Sequence, residues 1–111
     1  MRVKTVIAAA LLACSPLGYA QDYTSRTITF VVPAPPGGAT DSIARALAEE
    51  MGKHLGQVII VDNRPGAAGM LGTQAVARAN PDGYTVLVAH SGPIAYAPYM
   101  FAKVPYNVQL L

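Results

Sequence analysis

The sequence predicts an α/β fold, a partial doubly wound parallel sheet. Three observations carry it. A β-branched run, a glycine- or proline-rich bend and a helical stretch recur about three times in the same order. The second of these runs, Val58–Val61, is short and continuously apolar, as in a parallel strand covered on both faces. Strands joined by helices also pair in parallel, through right-handed crossovers.

In chain order, residues 27–32 (TITFVV) form the first strand, rich in branched side chains. The bend PAPPGGA, residues 33–39, breaks it. A helix is expected from Thr40 or Asp41 to Leu55, with Ile43, Leu47, Met51 and Leu55 recurring every fourth residue and Ala44 and Ala48 beside them. Thr40 and Asp41 suit the N-cap, and Gly56 stands where the helix must stop. Val58–Val61 is the second strand, and DNRPGAAG, residues 62–69, the second bend. A second helix is expected over residues 70–79, ended by the turn NPDG. TVLVA, residues 85–89, is the third strand; Ser91-Gly92-Pro93 is the third bend, with a short helix expected over residues 94–101. All three bends follow the carboxyl ends of strands, the edge at which open α/β sheets bind ligands.

Composition narrows the function. The chain has 111 residues, enough for one small domain, and at 52% apolar and 13% charged it is too apolar for disorder. Eight Lys and Arg against six Asp and Glu give a formal +2. That surplus is Arg2 and Lys4; from Gln21 onward, six basic residues balance six acidic ones. With no basic stripe to displace counterions, nucleic acid is an unsuitable partner.

The first 20 residues, MRVKTVIAAALLACSPLGYA, read as a secretory signal: two early cations, the apolar run Val6–Ala13, and small residues Gly18 and Ala20 before a cut at Gln21. The run is far below the ~20 residues that span a bilayer. A lipoprotein, acylated at Cys14 after Leu11-Leu12-Ala13, is the alternative. With Cys14 removed, the exported chain has no thiol for a disulfide, a nucleophile or a metal.

The bends carry the remaining chemistry. PAPPGGATD leads directly into a helix start, whose free N–H groups suit an anion. Thr40 adds a hydroxyl, whereas the Asp41 carboxylate would repel a carboxylate and suits a cap, a water or an amine. NRPGAAG offers Gly66, Gly69 and backbone donors before the second helix. Each bend can equally be a plain turn, and Arg64 can clamp an anion or pair with Asp62. His90 and Ser91, adjacent on an extended chain, point to opposite faces and make a poor base–nucleophile pair. His54 suits a helix C-terminus. Gly66, Gly69 and Gly72 are spaced GxxGxxG rather than GxGxxG, and neither a Walker loop nor a GxSxG elbow occurs. No His–carboxylate cluster has metal-ligand spacing, and no cofactor is implied. The aromatic group Tyr96, Tyr99, Phe101 and Tyr106 can cover a ligand or pack beneath further chain.

From Arg26 to Gly92 the sequence resembles the Bug/TctC family, the periplasmic solute-binding receptors of tripartite tricarboxylate transporters. PPGGATD, VDNRPGAAG and ANPDGYT occur in the family's order and spacing. The resemblance implies a two-lobed binding protein, not an enzyme, closing on a small di- or tricarboxylate or related organic acid and delivering it to membrane transporter subunits. Residues 21–111 would then form the N-terminal part of an incomplete, periplasmic-binding-protein-like first lobe. By motif position it implies ligand contacts, largely through backbone amides and water, from Ala34, Gly37, Gly38, Ala39, Thr40 and Asp41 in the first bend. Gly66, Ala67, Ala68 and Gly69 follow in the second, and Ser91 in the third. Ala34 replaces an aromatic residue usual in the family, and Ala68 a common glycine. Family members are longer, and after VPYN they continue with a proline and an acidic–aromatic pair where this chain has Asn107–Leu111. A fragment, a truncated gene or a frame change near Val108 is expected. Alone, the chain should be marginal or associate through free strand edges. An exported α/β enzyme acting on a phosphoryl or acyl group and a non-functional remnant are the competing readings.

Overall fold

The computed structural model describes residues 24–111. The expected signal segment, residues 1–20, and Cys14 lie outside the described residues.

β1 (Ile28–Val32) is the central strand of a three-stranded parallel sheet of order β2-β1-β3. β2 (Ile59–Asn63) pairs with it in the register Ile28↔Ile59 to Val32↔Asn63. β3 (Thr85–Leu87) pairs as Thr29↔Thr85 to Val31↔Leu87 and is shorter than the expected 85–89. α1 (Ala39–Leu55) crosses from β1 to β2, and α2 (Met70–Ala77) from β2 to β3. The expected α/β architecture is present, with buried Ile28, Phe30 and Ala48 at the centre of the core. Met51, Leu55, Val61 and Val86 pack around them. Among the described residues no helix is long and apolar enough to cross a membrane.

The helical face differs from expectation. Ala44 and Ala48 are buried, whereas Ile43 is 63% and Leu47 43% exposed. The reason is geometric. Residues four apart drift about 40° per step around a helix, so the ladder Ile43–Leu47–Met51–Leu55 does not stay on one side. Asp41, Ala44, Ala48, Met51 and Leu55, alternately three and four apart, do stay together. The small alanines bring α1 against the sheet.

The start of α1 also differs. The helix begins at Ala39 with Gly38 as N-cap, and no side chain caps it. Asp41 instead sits in the first turn and reaches back to the Gly37 N–H. Gly56 ends the helix in the left-handed conformation, as its position predicts. The second strand, expected to be buried throughout, leaves Val58, just before β2, 66% and Ile60 53% exposed, because these side chains alternate away from α1 onto the face where α2 packs over β1 and β3.

The expected third helix is interrupted. A wide turn, Gly92–Tyr96, precedes a short α3 (Ala97–Met100). Pro98 has no N–H to donate, so a regular ladder cannot run through it. The Ala97 N–H reaches Gly92 O, five residues back.

Candidate ligand-binding site

Parallel pairing sends all three bends to one edge of the sheet, and Gly69 is where they meet. A Cβ on Gly69 would stand 3.1 Å from Pro93 Cγ and 3.2 Å from the Pro33 carbonyl oxygen. One turn later, a Cβ on Gly72 would stand 2.8 Å from the Arg64 carbonyl oxygen. The buried Thr73 hydroxyl fixes this corner by donating to the Gly69 carbonyl at 2.9 Å. Glycine therefore lets the second bend lie against the first and third.

The three bends enclose a cavity of about 400 Å³. Of the residues expected at the site, Ala34, Gly66, Ala68 and Gly69 line it. Gly37, Gly38 and Ala39 lie exposed at the start of α1, with Thr40 half-buried, and none of the four is part of the wall. Ala67 and Ser91 are also outside the lining, although Ser91 stands between two wall residues, His90 and Gly92.

Asp41 is only 3% exposed, and its carboxylate accepts three hydrogen bonds. Arg45 Nε donates at 3.0 Å, the Gly37 N–H at 2.9 Å and Asn63 Nδ2 at 2.9 Å. Arg45 foremost, then Gly37 and Asn63, hold its pKa at about 2, below the ordinary 3.8. Asn63 Nδ2 also donates to the Ala34 carbonyl at 3.2 Å. The first bend is thus tied to the end of β2. A depressed folded-state pKa stabilises the fold above the unfolded value and loses that contribution as pH falls through the folded one. Urea midpoints should therefore fall on acidification from 3.8 to about 2, and Asp41→Asn should flatten that part of the profile. Parallel profiles for the two proteins would contradict the assignment.

The second bend is left-handed over four successive residues. Gly66 has φ +120°, Ala67 +48°, Ala68 +55° and Gly69 +87°. The run folds the chain back so that the Gly69 N–H reaches the Gly66 carbonyl at 3.0 Å. For alanine this conformation costs roughly 1–2 kcal/mol, and glycine recovers it less its greater unfolded-state freedom. Ala68→Gly should therefore stabilise the chain by about 0.5–1 kcal/mol, read from the urea midpoint. An unchanged or lower midpoint would show that the bend is not held left-handed there.

Arg64 pairs with Asp62 at 2.8 Å and does not line the cavity. His90 lines it and accepts the Gly92 N–H on Nδ1 at 3.0 Å. The aromatic group divides. Tyr96 and Phe101 join the wall, Tyr99 is 91% exposed, and Tyr106 donates to the Pro93 carbonyl at 2.7 Å. Wall residues that the motif reading missed include Pro33, Pro35, Pro65, His90 and Met100. Their common signal was position, since most directly follow a strand or lie in the bend after it. Among the described residues no three His, Cys, Asp or Glu side chains gather to hold a metal.

A family model for the tripartite tricarboxylate transporter family receptor, TctC, matches residues 43–111. This chain belongs to that family. A UPF0065 protein of Bordetella bronchiseptica is 46% identical over 105 residues, covering 94% of this chain and 31% of the relative. Protein BugT of Bordetella pertussis is 44% identical over 90 residues, covering 80% and 28%. Among solved structures, MatC of Rhodopseudomonas palustris with bound malate is 45% identical with a TM-score of 0.72, covering 76% of this chain and 29% of that one. An R. palustris protein with adipate is 34% identical with a TM-score of 0.74, covering 77% and 28%. The chain spans about a third of the length of the curated relatives it matches. TctC proteins are receptors, and a structural relative, BugD, is a periplasmic binding protein.

Proposed function

We propose that residues 21–111 build part of the first lobe of an extracytoplasmic solute-binding receptor. After export by the signal segment, it captures a small carboxylate-bearing ligand and presents it to the membrane subunits of a tripartite tricarboxylate-type transporter. Its own role is capture rather than catalysis. The convergence of three bends on one cavity, at the carboxyl ends of three parallel strands, carries this reading. Family membership supports the receptor role, and the malate and adipate held by two relatives support the ligand class.

The test is a titration of the isotope-labelled chain with malate, adipate and citrate, followed by amide chemical shifts, which register binding even at millimolar affinity. Shifts should concentrate in residues 34–41, 66–69 and 90–92. Acids that perturb none of these bends would remove the basis for the receptor reading.

A further inference from the structure

We propose that β2 is the seam of a homodimer: its free edge takes β2 of a second copy of this chain, antiparallel, about a twofold axis. The backbone pattern decides which edge pairs and how. The Ile28 N–H donates to the Val58 carbonyl at 3.1 Å, and the Arg64 N–H donates to the Val32 carbonyl at 2.8 Å. In the parallel register between them, Val58, Ile60, Asp62 and Arg64 turn their backbone groups to β1, and Ile59, Val61 and Asn63 turn theirs outward. Among the described residues nothing bonds these outward N–H and C=O groups, since β2 pairs with β1 alone. By the same alternation the shorter β3 offers only Thr85 and Leu87. The usual protections of an edge are also missing from β2. The run Val58–Val61 holds no charge, glycine or proline. An open groove follows the edge, lined on the helix side by Arg45, Ala48, Glu49 and Gly52.

A second copy is the occupant because this edge complements itself. A twofold axis through Val61 sets Val61 against Val61 of the second copy, and Ile59 against Asn63 of the second copy. Each outward residue of β2 then exchanges both backbone hydrogen bonds. A twofold axis through Ile60 would instead set Asn63 against Gln57, whose N–H already donates to the Gly52 carbonyl at 3.2 Å. Charge favours the Val61 register as well. The two copies of α1 lie antiparallel on one face of the joined sheet, with exposed Arg45 and Glu49 on the flank toward the seam. Arg45, one turn before Glu49, comes opposite Glu49 of the second copy. On the other face Ile60 stands opposite Asp62 of the second copy, and Val58 lies against the Arg64 stem of the second copy.

The experiment follows the full chain by sedimentation equilibrium from micromolar to millimolar concentration, with amide hydrogen exchange measured on the same samples. Mass should rise from one chain to two and stop there. The Ile59, Val61 and Asn63 amides should exchange freely at low concentration and become protected as the dimer forms. The Ile60 and Asp62 amides, bonded to β1, should stay protected throughout and report that the chain is folded. Ile60→Glu, at an exposed position, faces Asp62 of the second copy at both ends of the seam and should weaken dimerisation about tenfold. Ile60→Lys faces the same carboxylate and should weaken it much less. A chain that stays monomeric, or that grows past two copies, overturns the proposal. So does association that leaves the Ile59, Val61 and Asn63 amides exchanging freely, or protection of them that is independent of concentration, which would mean that the chain covers its own edge. Equal losses for the Glu and Lys variants would overturn the Val61 register and the seam built on it.

Discussion

Phe30→Ala should lower stability by about 3–5 kcal/mol, the usual cost of deleting a buried aromatic side chain. Phe30 is 2% exposed in the central strand, between the registers of Val61 and Val86 and beneath α1. Small domains have a net stability of roughly 5–15 kcal/mol, so the loss is a large part of what holds the chain folded. The comparison that makes it informative is Ile43→Ala. A sequence ladder in which Ile43, Leu47, Met51 and Leu55 meet the sheet predicts a substantial cost there too. With Ile43 63% exposed, the expected change is within about 0.5 kcal/mol. Urea unfolding followed by far-ultraviolet circular dichroism separates the cases, and similar losses for the two variants would mean that α1 sits rotated from the orientation described.

The second large effect is expected at Gly69. Gly69 and Gly37 share a φ of +87°, but a Cβ on Gly37 meets nothing within 4 Å, whereas one on Gly69 meets Pro93 and Pro33. Gly37→Ala should therefore cost only the left-handed strain, about 1–2 kcal/mol. Gly69→Ala adds overpacking of roughly 1–3 kcal/mol, for a total of about 2–5 kcal/mol. It should also abolish the ligand-induced shifts in all three bends, since it parts the second bend from its neighbours. Equal costs for the two alanine variants would mean that the bends do not touch at Gly69.

Strand, bend and helix followed one another as the residue pattern predicts, because branched runs and glycine–proline breaks act locally. What the pattern could not show depended on neighbours distant in sequence. The apolar run Val58–Val61 reads as a strand covered on both faces, yet nothing local says that α2 packs over β1 and β3 and leaves Val58 and Ile60 open. Ile43 and Leu47 outweigh Ala44 and Ala48 in apolar bulk, yet the alanines face inward, because close approach of helix to sheet favours the smaller side chain. Asp41 reads as an N-cap, and its partnership with Asn63 appears only when β2 is laid beside β1. Alanine gives no hint of positive φ, so the left-handed path through Ala67 and Ala68 was not legible. At the site, the motifs identified the bends, but not that their own prolines, with the helix after β3, would form the apolar wall.

The hydrogen bonds from Asn63 to Asp41 and to the Ala34 carbonyl, with Arg45 closing the group, fasten the first bend and the start of α1 to the end of β2. This corner of the edge is preorganised, so that a ligand binding there, as proposed, would spend little ordering entropy on shaping it.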